Sequence, residues 1–593
     1  MNIKQHKILL VGVNAKYIHS TPAIYCLKSY ADKYYTNRPD NCVLELCEYT
    51  INQSSDSIIA DLYHRKPSVV AFSCYIWNWK MIQEIIAELN KVLPDTQIWL
   101  GGPEVSFHAD TLINTLPQLT GVMLGEGEAT FMDILKYYWE NEGTLNDIKG
   151  IVYRDEATTQ ATFTPARELT DINTLPFIYD TPDAFSNRII YYESQRGCPF
   201  RCAYCLSSID KKVRLRDIET VKAELKFFLD NNVNQVKFID RTFNCNAKHA
   251  NEIWKFLKEN DNNVTNFHFE IAADLLTKEQ LDIMSDMRPG LIQLEIGVQS
   301  TNETTLKAIN RHMDIEELKH TVATVRSFNN IHQHLDLIAG LPYEDYDSFV
   351  NSFNNVYNMK PNQLQLGFLK VLKGSPMEEM ACEYGIVYNS KPPYEVLYTN
   401  WLSYDDVLKL KRIEEMVELY YNTAQFSHTI AMLEREFASP FKLYEALAQY
   451  YMDNNYFINT PSRAYRYQVL LEFACSINPD KKDLYSELLT YDMYLRENLK
   501  SRPVFAPAQS LPKDSTREFY KGEEANPQYL LGYEGYQSTQ LSRMTHIESF
   551  SYDVWSANTD SFGNKLNTPT YILFDYINRD ALTHDAKTFK INL

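Results

Sequence analysis

Three of the ten cysteines in this 593-residue chain crowd into one short loop, Cys198-Pro199-Phe200-Arg201-Cys202-Ala203-Tyr204-Cys205. The thiols follow a strand-like run at 189–193 and are separated by three and then two residues. A loop this short can wrap three thiolates around one corner of a cubane iron–sulfur cluster. Three protein ligands leave one iron open to a bidentate ligand, such as the amino and carboxylate groups of a methionine moiety. That iron can then pass an electron at low potential, which a fully ligated cluster cannot do. Zinc is the alternative, but it wants four Cys/His ligands in paired spacing, and the next are the distant Cys245 and His249. A thioredoxin-like pair at Cys202 and Cys205 leaves Cys198 unexplained. Cys26, Cys42, Cys47, Cys74, Cys245, Cys382 and Cys475 are isolated and read as small buried hydrophobes.

Two glycine loops stand earlier in the chain, Gly101-Gly102-Pro103-Glu104 and Gly125-Glu126-Gly127-Glu128, each after a strand-like run. Glycine at the carboxyl end of a parallel strand lets a ligand approach the backbone closely. Neither loop matches a dinucleotide fingerprint or a Walker sequence, so nicotinamide, flavin and ATP readings are poor.

The elements that must position these groups alternate. Strands are expected near 8–13, 43–46, 69–73, 98–100 and 122–124, with helices at 22–35, 79–93 and 130–139 between them. This predicts a doubly wound, Rossmann-like (flavodoxin-like) parallel sheet over residues 1–142. Residues 143–188, punctuated by Pro165, Pro176 and Pro182, read as a linker with a small hairpin. Over 189–390 strands near 236–239, 267–271, 291–296, 334–338 and 363–368 alternate with helices at 220–231, 250–257 and 278–287, which predicts a partial (β/α) barrel. Residues 391–593 read as mainly helical, through 404–421, 440–451, 464–475 and 482–499. The prolines of 501–512 end that run, and 547–555 and 570–576 look mixed and irregular.

A net charge of −19 repels a phosphate backbone over most of the surface, so a nucleic-acid partner is not expected unless Lys211, Lys212, Arg214 and Arg216 form a local patch. No apolar run approaches the roughly 20 residues that cross a bilayer, which implies a cytoplasmic protein.

With its aromatic before the last cysteine, Cys198-x3-Cys202-x-Tyr204-Cys205 resembles the signature of radical S-adenosylmethionine enzymes. The resemblance implies a four-iron four-sulfur cluster on Cys198, Cys202 and Cys205, with Tyr204 near the adenine of S-adenosylmethionine. Phe238-Ile239-Asp240-Arg241 falls where that family's Gly-Gly-Glu strand end contacts the methionine amine; the glycines are absent, so only Asp240 is carried over. Glu295-Ile296-Gly297-Val298-Gln299-Ser300 resembles the family's Glu-x-Gly-x-Gln-Ser strand, marking Glu295 and Gln299. Asp336-Leu337-Ile338-Ala339-Gly340-Leu341-Pro342 resembles its adenine-side strand, marking Asp336 and Gly340, and Glu270 is placed toward the ribose. With Ser73, the loops Gly101, Gly102, Pro103 and Gly125, Glu126, Gly127 resemble the cobalamin-binding domain that precedes many such enzymes. The usual lower-ligand motif Asp-x-His-x-x-Gly is absent, and His19 is the replacement candidate.

The combined resemblance, over about residues 7–375, implies reductive cleavage of S-adenosylmethionine and cobalamin-dependent methyl transfer to an unknown substrate. It also implies an electron donor such as flavodoxin or ferredoxin. The alternatives are an RNA-modifying methylthio- or methyltransferase and a non-catalytic cobalamin or redox sensor.

Overall fold

The computed structural model describes residues 6–179, 185, 187–508 and 511–593. Pro182 of the expected linker, residues 1–5 and residues 509–510 lie outside the described residues.

The amino-terminal strands are β1 (His6–Asn14), β2 (Cys42–Thr50), β3 (Val69–Ser73), β4 (Gln97–Gly101) and β5 (Leu119–Met123), all parallel in the order β2-β1-β3-β4-β5. This is the flavodoxin-like order, and it reverses between β1 and β3, where such sheets open a ligand crevice. Helices cover both faces, so the central strands are apolar throughout: Ile8, Leu9, Leu10, Val11, Val69, Val70, Ala71 and Phe72 are all buried. The helix Trp79–Val92 shows why the pattern folds, because Trp79, Ile82, Ile85, Ile86 and Leu89 recur on one buried face. Sequence reasoning missed the helix Ser55–Arg65, which buries only Ile58 and Leu62.

The expected hairpin exists as β6 (Ile151–Arg154) and β7 (Ala161–Phe163). It is not part of a separate linker, since β6 pairs with β5 and extends the first sheet by two antiparallel strands.

The second sheet contains β8 (Ile190–Tyr192), β11 (Gln235–Phe238), β12 (Asn266–Ile271), β13 (Ile292–Gln299), β14 (His332–Ala339) and β15 (Gln363–Phe368). These six pair in parallel in the order β15-β14-β13-β12-β11-β8, leaving an open, partial barrel. Between β8 and β11 a short ladder of β9 (Gln195–Arg196) and β10 (Arg214–Leu215) frames the cysteine loop.

Along the barrel strands the faces differ. Val236, Phe238, Phe267, Phe269, Leu294, Ile296, Leu335 and Leu337 pack into the main core. The alternate positions are Lys237, His268, Glu270, Gln293, Glu295, His332, His334 and Asp336, so the inner face is polar.

Past the hairpin of β16 (Val387–Tyr388) and β17 (Val396–Tyr398), helices Tyr404–Val417, Pro440–Asp453, Arg463–Ile477 and Lys482–Arg496 form the expected helical region. Their core is continuous with the barrel's: Phe353 and Tyr357 of the barrel helix Tyr346–Tyr357 pack on Phe441 and Tyr444.

The last stretch is regular rather than irregular. The strands β18 (Thr545–Tyr552), β19 (Lys565–Arg579) and β20 (Ala586–Ile591) form an antiparallel sheet after a further helix, Lys513–Ala525. Among the described residues no helix is long and apolar enough to cross a membrane.

Candidate functional site

The cysteine loop is held at several points. At Gly197 φ is +98°, and a Cβ there would lie 2.5 Å from the Lys212 carbonyl oxygen, so only glycine makes this turn. The Cys198 amide donates to Asp210 O at 3.1 Å, the Ala203 amide to Ile309 O at 2.9 Å, and the Met377 amide to Ala203 O at 2.9 Å.

Cys198, Cys202 and Cys205, all free thiols, line one cavity together with Tyr204, Glu270, Glu295, Gln299 and Asp336. These groups come from the loop and from β12, β13 and β14. Arg311, which sequence reasoning missed, reaches the same cavity: its Nη1 lies 3.7 Å from Cys202 Sγ and 3.3 Å from Tyr204 Oη, and its Nη2 donates to Gly297 O. Thr242 Oγ1 is 3.6 Å from Cys198 Sγ. Burial pushes the Cys198 thiol up, so deprotonation needs a cationic partner, which a metal cluster supplies. Three thiols on one cavity beside a buried guanidinium fit a three-Cys cluster.

Two predicted residues do not line this cavity. Asp240 is fully buried and accepts from the Ser194 amide (2.9 Å), the Ser194 hydroxyl (2.5 Å) and the Gln195 amide (3.1 Å), so it anchors the chain that leads into the loop. Burial outweighs these donors and raises its carboxyl to about 8. Gly340, with φ at +87°, turns against Val396, whose Cγ1 lies 2.7 Å from where a Cβ would stand.

The others carry signs of a working site. Gln299 adopts φ +73° with its buried Oε1 unpartnered, a strained conformation of the kind that concentrates at ligand sites. Burial raises Asp336 to about 8, reinforced by Glu295 and Glu270. Glu295 is held at about 2, because His268 and Lys237 together overcome its burial. Burial also raises Glu270, opposed by Arg241 at 3.9 Å. His268 and His334 were missed by sequence reasoning, although each stands two residues before a marked strand carboxylate, and Lys237 was missed with no such signal.

At the carboxyl rim of the first sheet, Ser73 is buried, and Gly102, at φ +110°, would drive a Cβ to 2.4 Å from Cys74 O. Pro103 starts a short helix, Pro103–Ser106, next to Gly101. Gly125, at φ +68°, has nothing within 4 Å of its Cβ position, and Gly127 precedes the helix Glu128–Glu140, close to Leu27.

Glu126 is not open to a ligand. It pairs with Arg214 at 2.5 and 3.0 Å and with Arg196 at 3.3 Å, and it accepts from the Thr170 amide at 2.7 Å. His19 Nδ1 lies 2.5 Å from Tyr191 Oη, and burial lowers the pKa of the ring. The rim instead presents an unforeseen aromatic pair: Tyr75 stacks on Trp77 with centroids 4.3 Å apart and planes 8° off parallel. Trp77, Tyr17 and Ile18 are exposed there. An open glycine turn and exposed aromatics on the same rim fit a large flat cofactor.

The basic turn is corrected as well. Arg214 is tied to Glu126 and Asp210, and buried Arg216 to Glu224 at 2.5 Å, leaving Lys211 and Lys212 exposed.

The two sheets are joined by acids of the first meeting cations of the rest. Besides Glu126, Glu128 meets Arg196 at 3.0 Å, Glu104 meets Lys373 at 3.0 Å, and Glu48 meets Arg188.

Comparison with known proteins matches residues 4–135 to the B12 binding domain, 192–356 to the radical SAM superfamily and 382–574 to a protein family of unknown function, DUF4080. The chain is 23% identical to the 2-(S-pantetheinyl)-carbapenam-3-carboxylate methyltransferase of Streptantibioticus cattleyicolor, over 65% of this chain and 61% of that protein. It is 21% identical to the cobalamin-dependent radical SAM methyltransferase TokK of Streptomyces tokunonensis, over 68% of this chain and 63% of that one. It thus spans less than two thirds of each. Among solved structures, OxsB with aqua-cobalamin and S-adenosylmethionine bound shares the fold at TM-score 0.57 and 15% identity, over 82% of this chain and 81% of that one. TsrM from Kitasatospora setae, with cobalamin and [4Fe-4S] cluster bound, does so at 0.53 and 15%, over 65% and 76%. Residues 192–356 are thus a radical SAM superfamily domain, preceded by a B12-binding domain at 4–135.

Proposed function

We propose that this chain is a cobalamin-dependent radical S-adenosylmethionine methyltransferase acting on a substrate held in the barrel lumen. The observation that carries the reading is the single cavity joining three thiols of one loop to a polar strand face. Cys198, Cys202 and Cys205 would hold the [4Fe-4S] cluster. Tyr204, Glu270, Glu295, Gln299 and Asp336 line the space that S-adenosylmethionine would enter. Ser73, Gly101, Gly102, Pro103, Gly125 and Gly127 border the crevice for cobalamin. When bound, the cluster supplies a low-potential electron to S-adenosylmethionine, and cobalamin supplies a transferable methyl group.

The chain's own residues confine and orient. Arg311 fixes Tyr204 beside Cys202, the apolar packing around Ala203 closes the loop from behind, and the acid–cation pairs keep the crevice aligned with the cavity. The family resemblance supports a flavodoxin- or ferredoxin-like electron donor and a cytoplasmic setting.

The test is anaerobic reconstitution with a strong reductant, following turnover of S-adenosylmethionine with and without added methylcobalamin. Turnover is expected in the wild type and not in Cys198→Ala. A reduced, cluster-loaded wild type that consumes no S-adenosylmethionine overturns the proposal.

A further inference from the structure

The lumen brings together a carboxylate oxygen of Glu295, a ring nitrogen of His334 and a carboxylate oxygen of Asp336, all within 4.8 Å of one another. Their positions are set by neighbouring strands, where β13 and β14 pair Glu295 with His334 and Gly297 with Asp336. This is a mixed imidazole–carboxylate set inside a barrel, not a solvated acidic patch.

The partnering of these atoms is informative. His334 is 7% exposed, and its Nε2 has no hydrogen-bond partner; neither does Asp336 Oδ1. Yet the two atoms lie 3.1 Å apart. Close approach without hydrogen-bond alignment is what two neighbouring ligands of one ion show. Bonds of about 2.1 Å at right angles put their ends about 3 Å apart.

Glu295 is steered through its other oxygen. Lys237 Nζ donates to Oε2 at 3.0 Å, His268 Nε2 lies 2.9 Å from the same oxygen without hydrogen-bond alignment, and Oε1 receives no donor among the described residues. Such outer partners orient metal-ligating carboxylates. The Lys237 ammonium also opposes a nearby cation, so moderate rather than extreme affinity is expected.

We propose that Glu295, His334 and Asp336 form a site for one divalent transition-metal ion of the Mn2+, Fe2+ or Zn2+ class. One imidazole and two carboxylates suit these ions over soft ones, and three protein ligands leave coordination positions open. Glu295 and Asp336 also line the cavity of the cysteine loop, so those positions face it. An oxygen of the substrate, from a carboxylate, hydroxyl or carbonyl, is the group that fills them, which makes the substrate an oxygen-bearing chelator. The assignment to substrate rests on the proposed function; the ion site does not.

Mn2+ alone is the probe. Full-length protein, purified without oxygen and holding an oxidised, EPR-silent cluster, is titrated with Mn2+ while free ion is counted by EPR. One saturable Mn2+ per chain is expected, with nitrogen coupling from one imidazole in pulsed spectra. His334→Gln should remove that coupling, and His334→Gln and Asp336→Asn should each weaken binding at least about tenfold. Glu270→Gln, in the same cavity but outside the triad, should keep the nitrogen coupling and lose less affinity than either triad variant. Absence of saturable binding, wild-type affinity in both triad variants, or bound Mn2+ without nitrogen coupling overturns the site. If a triad variant loses its circular-dichroism signal and so its fold, the wild-type stoichiometry and nitrogen coupling decide alone. Turnover of S-adenosylmethionine is then read from the same samples after a strong reductant is added. Turnover without bound Mn2+ overturns the ion and leaves the proposed function, and bound Mn2+ without turnover does the reverse.

Discussion

Both parallel sheets are built from strand–helix repeats, but they keep their chemistry in different places. In the first sheet helices cover both faces, β3 and the centre of β1 are apolar on every side, and the polar groups of these two strands lie at their ends. In the second, one face is a lumen, so ionisable groups run along the strands: Lys237 on β11, His268 and Glu270 on β12, Glu295 on β13, His334 and Asp336 on β14. The first sheet is therefore a platform that meets a ligand at its edge, and the second is a container that meets it along its depth. A substitution inside a strand should act on stability in the first sheet and on chemistry in the second.

The largest expected effect lies where the container is sealed. Replacing Cys198, Cys202 or Cys205 by Ala should remove bound iron and abolish turnover while leaving secondary structure intact, as iron analysis and circular dichroism would show. Gly197→Ala comes next. The left-handed φ alone costs roughly 1–3 kcal/mol, and the contact with Lys212 O adds to it. The result should be partial iron loading and a lower melting temperature, whereas Gly125→Ala at the open rim should show the φ cost without a clash. Equal losses at the two glycines would dissolve the distinction between a sealed loop and an open rim.

How far this contrast was legible in the sequence follows the same physics. The β1 and β3 runs read as buried strands because both faces are apolar, and the cysteine loop read as a cluster site because its spacing is local. The lumen was half visible: Glu295, Gln299 and Asp336 stood out by resemblance. His268, His334 and Lys237 did not, because a two-residue period looks the same for a solvated face and a lumen. Asp240 misled, since a strand-end acid can turn inward to clamp Ser194 and Gln195 as readily as face a ligand. Glu126 misled for a related reason, as its partner Arg214 lies 88 residues away. The final sheet was missed because β19 mixes Asn567 and Pro569 with a short apolar centre, and its pairing with β18 and β20 is long-range.

The junction between platform and container should respond to acid. Glu126 titrates at about 2 in the folded chain against about 4.5 when free, because Arg214, Arg196 and the Thr170 amide outweigh its burial. A depressed carboxyl stabilises the fold fully above pH 4.5, and that contribution is lost as pH falls toward 2. The shift corresponds to about 3 kcal/mol at most, and to about 1–3 kcal/mol after solvent screening. Thermal unfolding of the wild type and Glu126→Gln should therefore differ at pH 7 and converge at acid pH. A constant gap would mean that the pair does not carry the junction.

The smallest effect is expected at the basic turn beside it. Arg214 and Arg216 are occupied by carboxylates, so Lys211 and Lys212 alone face solvent, and exposed charges contribute within about 0.5 kcal/mol. Lys211→Ala with Lys212→Ala should leave melting temperature, iron content and turnover unchanged, and filter binding to RNA should be equally weak before and after at low salt. A salt-sensitive RNA affinity that the double variant abolishes would instead make this turn a phosphate contact, because phosphate binding weakens steeply with ionic strength. The rim would then be a second place, beside the lumen, where a substrate is chosen.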